Sequence, residues 1–112
     1  MIQVTITYNN DKINSFKVTG HAGYAEQGED IYCAGVSAIT QTALIGLIKH
    51  LPVEPIYKIE NGFLECNLPV NLVKEDIEKA QIILSTMELG LISLQDSYSD
   101  YVEVVIRRCN ND

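Results

Sequence analysis

The chain has 112 residues, 46% of them hydrophobic, and its 8 Lys and Arg against 15 Asp and Glu leave a net charge of −7. A chain of this length buries about two-thirds of the surface it exposes when unfolded, enough for one domain over residues 1–112 without disulfides or a structural metal. The acidic balance, with Arg107-Arg108 as its one basic pair, argues against direct nucleic-acid binding, which needs several cations on one surface. Cys33, Cys66 and Cys109 are odd in number and lack C-x-x-C spacing, so neither a disulfide framework nor a zinc ribbon is expected.

Ile2, Val4, Ile6 and Tyr8 alternate with polar residues, the period of a half-buried strand. Asn9, Asn10 and Asp11 supply turn chemistry, and Ile13–Val18 gives the second arm of a hairpin. From Gly20 to Glu29 the chain is glycine-rich and aperiodic, which reads as a loop. Asp30 then precedes a long apolar segment, Ile31–His50, that predicts a buried helix with Asp30 as N-cap and Ile31, Tyr32 and Cys33 in its first turn. Ser37, Thr40, Gln41 and Thr42 make that segment too polar for a strong membrane span, and the alternating N-terminus does not read as a signal peptide. A cytoplasmic protein with reduced thiols and no membrane partner is expected.

Pro52 and Pro55 mark the far end of the helix. Ile56–Glu60 and Phe63–Leu68 flank Asn61-Gly62, a strong hairpin signal. Val73, Ile77, Ala80, Leu84, Met87 and Leu91 step by three and four, an amphipathic helix, and Val102, Val104 and Ile106 alternate as a last strand. The order β-β-α-β-β-α-β predicts a single α+β domain with two helices packed on a mixed or antiparallel sheet. The apolar edge Val102–Ile106 is compatible with a dimer.

Chemistry concentrates in Gly20-His21-Ala22-Gly23 and in the segment Gly28 to Ser37. A thiol in the first turn of a helix meets unpaired N–H groups, but a helix end supplies only about 0.3 to 1 kcal/mol of the roughly 2 kcal/mol needed to make a thiolate prevalent at neutral pH. An imidazolium supplies the rest, and His21 lies across a flexible loop from Cys33. Read singly, each residue has a plainer role: Cys33 as a small core hydrophobe, His21 as a turn residue, Asp30 as a cap and Ser37 as a packing residue one turn from Cys33. Their placement around one loop sets the chemical reading level with the plainer ones.

Gly20-His21-Ala22 together with Gly28-x-Asp30-Ile31-x-Cys33-Ala34-x-Val36-Ser37 resembles the signature of the ribosomal-processing cysteine protease family of Firmicutes and related bacteria. The resemblance implies a small, cofactor-free, metal-free homodimeric endopeptidase that removes a short N-terminal extension from a large-subunit ribosomal protein. It implies Cys33 as nucleophile and His21 as general acid and base, with Asp30 and Ser37 supporting. Gly20, Gly23, Tyr24 and Gly28 then belong to a loop that orders over substrate. Two departures stand out: Gly35 where a second Ala is common, and Glu29 beside Asp30.

A non-catalytic dimeric module for ribosome assembly or protein binding is the alternative, and it needs no reactive thiol. A redox thiol resolved by Cys66 or Cys109, or a zinc site from His21, His50 and the cysteines, has no supporting spacing.

Overall fold

The computed structural model describes residues 1–20 and 27–110, with residues 27–30 by their backbone alone. Apolar alternation builds β1 (Ile2–Asn9) and β2 (Lys12–Thr19), which pair antiparallel across Asn10-Asp11. Both turn residues have positive φ, 51° and 67°, as a type I′ turn requires, and its twist matches that of the strands it joins. Helix α1 (Gln27–His50) follows. β3 (Ile56–Glu60) and β4 (Phe63–Asn67) form the second hairpin, where Gly62 but not Asn61 has positive φ, the pattern of a type II turn. Helix α2 (Lys74–Ser97) and β5 (Val102–Cys109) complete the order β-β-α-β-β-α-β.

The strands form one sheet in the order β3-β4-β2-β1-β5, with β1 and β5 parallel and every other pair antiparallel. It is the mixed sheet under two helices that the pattern predicts. Val4 and Ile6 of β1 and Phe16 of β2 meet Leu47 of α1 and Leu84 and Leu91 of α2, all at or near complete burial. A bulge at Thr7/Tyr8 breaks the β1–β2 register, and near it Gln81 of α2 reaches the backbone of Ile13. The Gln81 side chain accepts the Ile13 N–H at 2.7 Å and donates to the Ile13 carbonyl at 2.8 Å, satisfying both backbone groups of a buried residue.

Two expectations change. The sequence predicts a fully buried α1, yet only five of the twenty residues Ile31–His50 are buried, and Ile31 and Ile45 are 71% and 66% exposed. A two-layer fold covers a helix on its sheet side and leaves its back bare. With a mean hydropathy of 1.7 this stretch is long and apolar enough to cross a membrane by length and composition alone, although here it lies against the sheet. The β5 edge is also less open than its apolar alternation suggests: Val102 is 1% exposed, and the Val104 N–H donates to Gln95 of α2 at 2.6 Å. Exposed apolar surface lies also on β3, at Ile56, Tyr57 and Ile59, and on the helices, where Ala38, Ile39 and Gly46 of α1 and Ile83 of α2, with the buried Ala43 and Met87, line a groove of about 590 Å³.

Candidate active site

Gly20 ends β2 with φ at 93°. A Cβ there would stand 2.4 Å from the Met1 carbonyl oxygen and 3.2 Å from Ile2 Cα, so only glycine lets the end of β2 close onto the start of β1. His21 comes next in sequence; it lies outside the described residues, as do Gly23 and Tyr24, which the resemblance assigns to substrate. Gly28 and Asp30 are described as backbone of α1.

The helix begins four residues earlier than the cap signal predicts, at Gln27 rather than Ile31. Asp30 is therefore a helical residue and not the N-cap, and Cys33 is the seventh residue, in the second turn. Gln27, Glu29 and Asp30 are residue types that a first turn accepts, so the helix extends through them. The correction alters the chemistry. The Cys33 N–H has a carbonyl partner four residues back in a regular helix, and the macrodipole fades beyond the first turn. Neither an oxyanion donor at the Cys33 amide nor helix-end activation of its thiol follows from this position.

Cys33 is half-buried and lines a cavity of about 280 Å³ between α1 and the β3–β4 hairpin. On the helix side Val36, Ser37, Thr40 and Gln41 continue the wall, with Gly20 at one end, and the segment from Ile59 to Leu64 faces them. Cys33, Ser37 and Gln41 are spaced by four, so they share one helix face. Thr40 is wholly buried, and its hydroxyl donates to the Val36 carbonyl at 2.8 Å. The neighbouring Tyr32 stacks on Tyr101 at 4.4 Å between ring centroids and tilts against Tyr98 at 4.7 Å. These rings anchor the turn that carries Cys33 to the connection between α2 and β5. Sequence reading brings Cys33 and Ser37 together correctly and misses Gln41, whose i+8 spacing from Cys33 was legible. It also misses the hairpin wall, which only the tertiary fold supplies.

The remaining cysteines are placed otherwise. Cys66 of β4 is 1% exposed, and burial pushes its thiol up to about 12, so it stays protonated. Cys109 pairs in register with Asn9, at the opposite end of the sheet from Ile2 and Gly20. All three thiols are free. Among the described residues no group of three His, Cys, Asp or Glu side chains is placed to hold a metal ion.

The chain resembles known proteins along nearly its whole length. It is 37% identical over 107 residues to the ribosomal processing cysteine protease Prp of Bacillus subtilis (strain 168), covering 93% of this chain and 96% of that one. It is 33% identical over 108 residues to the protein of the same name from Staphylococcus aureus (strain Mu50 / ATCC 700699), covering 93% and 97%. Among solved structures, SMU.848 from Streptococcus mutans superposes with a TM-score of 0.85 at 28% identity, covering 97% of this chain and 96% of that one. An essential ribosomal processing protease Prp from S. aureus, solved with a covalently linked product peptide, superposes with a TM-score of 0.80 at 28% identity, covering 96% and 100%. The pattern of the family described as cysteine protease Prp matches residues 1–103, and the chain belongs to that family.

Proposed function

We propose that this chain is a cysteine endopeptidase that removes a short N-terminal extension from a large-subunit ribosomal protein in the cytoplasm. The observation that carries the reading is a half-buried free thiol, Cys33, on the wall of an open cavity, in a chain whose relatives are named ribosomal processing proteases. The S. aureus relative holds a covalently linked product peptide in one structure and a substrate peptide in another, which supports covalent catalysis on a peptide.

The Cys33 thiolate attacks the scissile carbonyl, forming an S–C bond and a tetrahedral oxyanion. His21 is the acid and base of a Cys/His dyad. Collapse expels the amine, which takes its proton from the His21 imidazolium, and leaves a thioester on Cys33. Water, deprotonated by His21, then attacks the thioester and releases the acid and the thiolate. Asp30 and Ser37 support the dyad, and Ser37 holds a hydroxyl one turn beyond Cys33 on the same face. The segment containing Gly23 and Tyr24 orders over the bound peptide, without Gly28, which was expected in it and is instead a residue of α1. The apolar groove between α1 and α2, together with Ile45, Ile82 and Leu89, which lie outside it on the same two helices and are exposed at 66%, 68% and 68%, supports a homodimer formed through the helical layer.

The test is incubation with a synthetic peptide spanning the extension junction, read by mass spectrometry. Wild type makes one cut, and Cys33→Ala and His21→Ala make none. Cleavage by Cys33→Ala at the wild-type rate refutes the assignment.

A further inference from the structure

We propose that the free edge of β3 binds the substrate backbone by strand addition, an inference that rests on the endopeptidase reading above and extends it beyond the cavity. The two edges of the sheet are treated differently. At β5, Gln95 of α2 answers the outward Val104 N–H at 2.6 Å. At β3, no side chain among the described residues does the same.

The register says which β3 groups are open. The two-residue turn closes on Glu60↔Phe63, so that pair shares hydrogen bonds, and alternation assigns Lys58 and Ile56 to the β4 ladder as well. Tyr57 and Ile59 are left with N–H and C=O directed away from β4. The far side of β4 provides an independent check: Leu68 N–H donates to the Asn14 carbonyl at 3.0 Å, so the even-numbered residues of β4 turn toward β2 and the odd-numbered ones toward β3.

Side chains point the same way. Tyr57 and Ile59 pair with Cys66 and Leu64, which lie on the buried face, yet they are 43% and 50% exposed because the helical layer stops short of β3. Edge strands are usually blunted by charge, and here the charged pair, Lys58 with Glu60 at 3.4 Å, belongs to the opposite face. The exposed row runs into the cavity, since Ile59 lines it with Cys33. An extended peptide added to β3 pairs alternate residues with Tyr57 and Ile59, lays apolar side chains over theirs and arrives at Cys33.

The experiment uses the full-length protein and a set of junction peptides, each N-methylated at one backbone amide. Strand addition requires kcat/KM to fall about threefold to tenfold at every second position and to stay unchanged between, on the side of the scissile bond that lies along β3. Tyr57→Pro removes an outward N–H and no ladder bond, so KM rises by a similar factor with kcat and thermal midpoint unchanged, whereas Lys58→Pro removes a ladder N–H and lowers the midpoint. Methylation effects without alternation overturn the proposal, as does wild-type KM in Tyr57→Pro. A change in oligomer mass in Tyr57→Pro, with KM unaltered, assigns the edge to a second copy and overturns it too. If wild type leaves the unmodified peptide intact, the protease reading falls and the docking falls with it; if it cuts that peptide, only the docking is at stake.

Discussion

Two glycines flanking Cys33 in sequence should respond to alanine with opposite signs. At Gly20, φ is 93° and a Cβ would sit 2.4 Å from the Met1 carbonyl oxygen and 3.2 Å from Ile2 Cα, both backbone atoms that cannot rotate away. The strained φ costs about 1 to 3 kcal/mol, and displacing the start of β1 raises the total to roughly 2 to 4 kcal/mol. For a domain of this size 1 kcal/mol shifts the midpoint by about 4 °C, so Gly20→Ala lowers Tm by about 8 to 16 °C. At Gly35, inside α1, a Cβ meets only Leu94 Cδ2, at an ordinary 3.6 Å. Alanine there gains about 0.5 to 1 kcal/mol of helix propensity, raising Tm by about 2 to 4 °C. Thermal unfolding followed by circular dichroism measures both. Gly20→Ala also displaces the strand end that leads to His21, so its kcat/KM falls at temperatures where it remains folded. A Gly20→Ala protein with wild-type Tm, or a destabilised Gly35→Ala protein, refutes the reasoning.

Gln81→Ala leaves the buried Ile13 N–H and carbonyl unpaired, at a cost of about 2 to 4 kcal/mol in urea unfolding, and a loss under 0.5 kcal/mol contradicts the clamp. Tyr8 is pushed up to about 12 by burial and by its hydrogen bond to Glu88 at 2.5 Å and that carboxylate's charge, which outweigh the opposing Arg108. A raised folded pKa contributes stability that is complete below pH about 10, the unfolded value, and is lost as pH rises toward about 12; Tyr8→Phe flattens that alkaline decline, and phenolate absorbance locates the titration. Ile45→Glu and Ile82→Glu place charge on the exposed helical face; the proposed homodimer requires wild type to scatter as a dimer and these variants as monomers, and a wild-type monomer refutes it. Ser37→Ala lowers kcat with little change in KM, since a residue that supports the dyad acts on the chemical step more than on binding; unaltered kcat removes Ser37 from the mechanism.

Much of the fold was legible because burial on one side of a sheet writes a period of two. Val4 and Ile6 facing Thr5 and Thr7, and the three-four stepping of Ala80, Leu84, Met87 and Leu91, mark their elements locally. The start of α1 was not legible: Asp30 is a good cap, but a cap signal is a preference, and the preceding Gln27, Gly28 and Glu29 contain no breaker strong enough to enforce it. The exposed back of α1 could not be read either, since apolar residues on every face look alike whether a sheet or a second chain covers them. The site was half legible. Cys33 and Ser37 share a helical spacing visible in the sequence, whereas the β3–β4 wall is set by a long-range pairing order that no local pattern encodes.

The helix packing and the cavity follow from one feature. Gly46 of α1 faces Ile83 of α2, and Gly90 of α2 faces Ile39 of α1, with room at each for a contact of 3.6 to 3.7 Å at a Cβ and little beyond it. Small residues at these positions let the two helices approach closely, and a pair of close helices covers less of the sheet than a separated pair. Bulkier residues would push α1 outward over β3, covering Tyr57 and Ile59 and filling the space that Cys33 lines. The uncovered margin of the sheet thus follows from helix contacts on the other side of α1. Because Cys33 stands in the second turn, away from the free amides of the helix start, its chemistry depends on what enters across that margin more than on the helix that carries it.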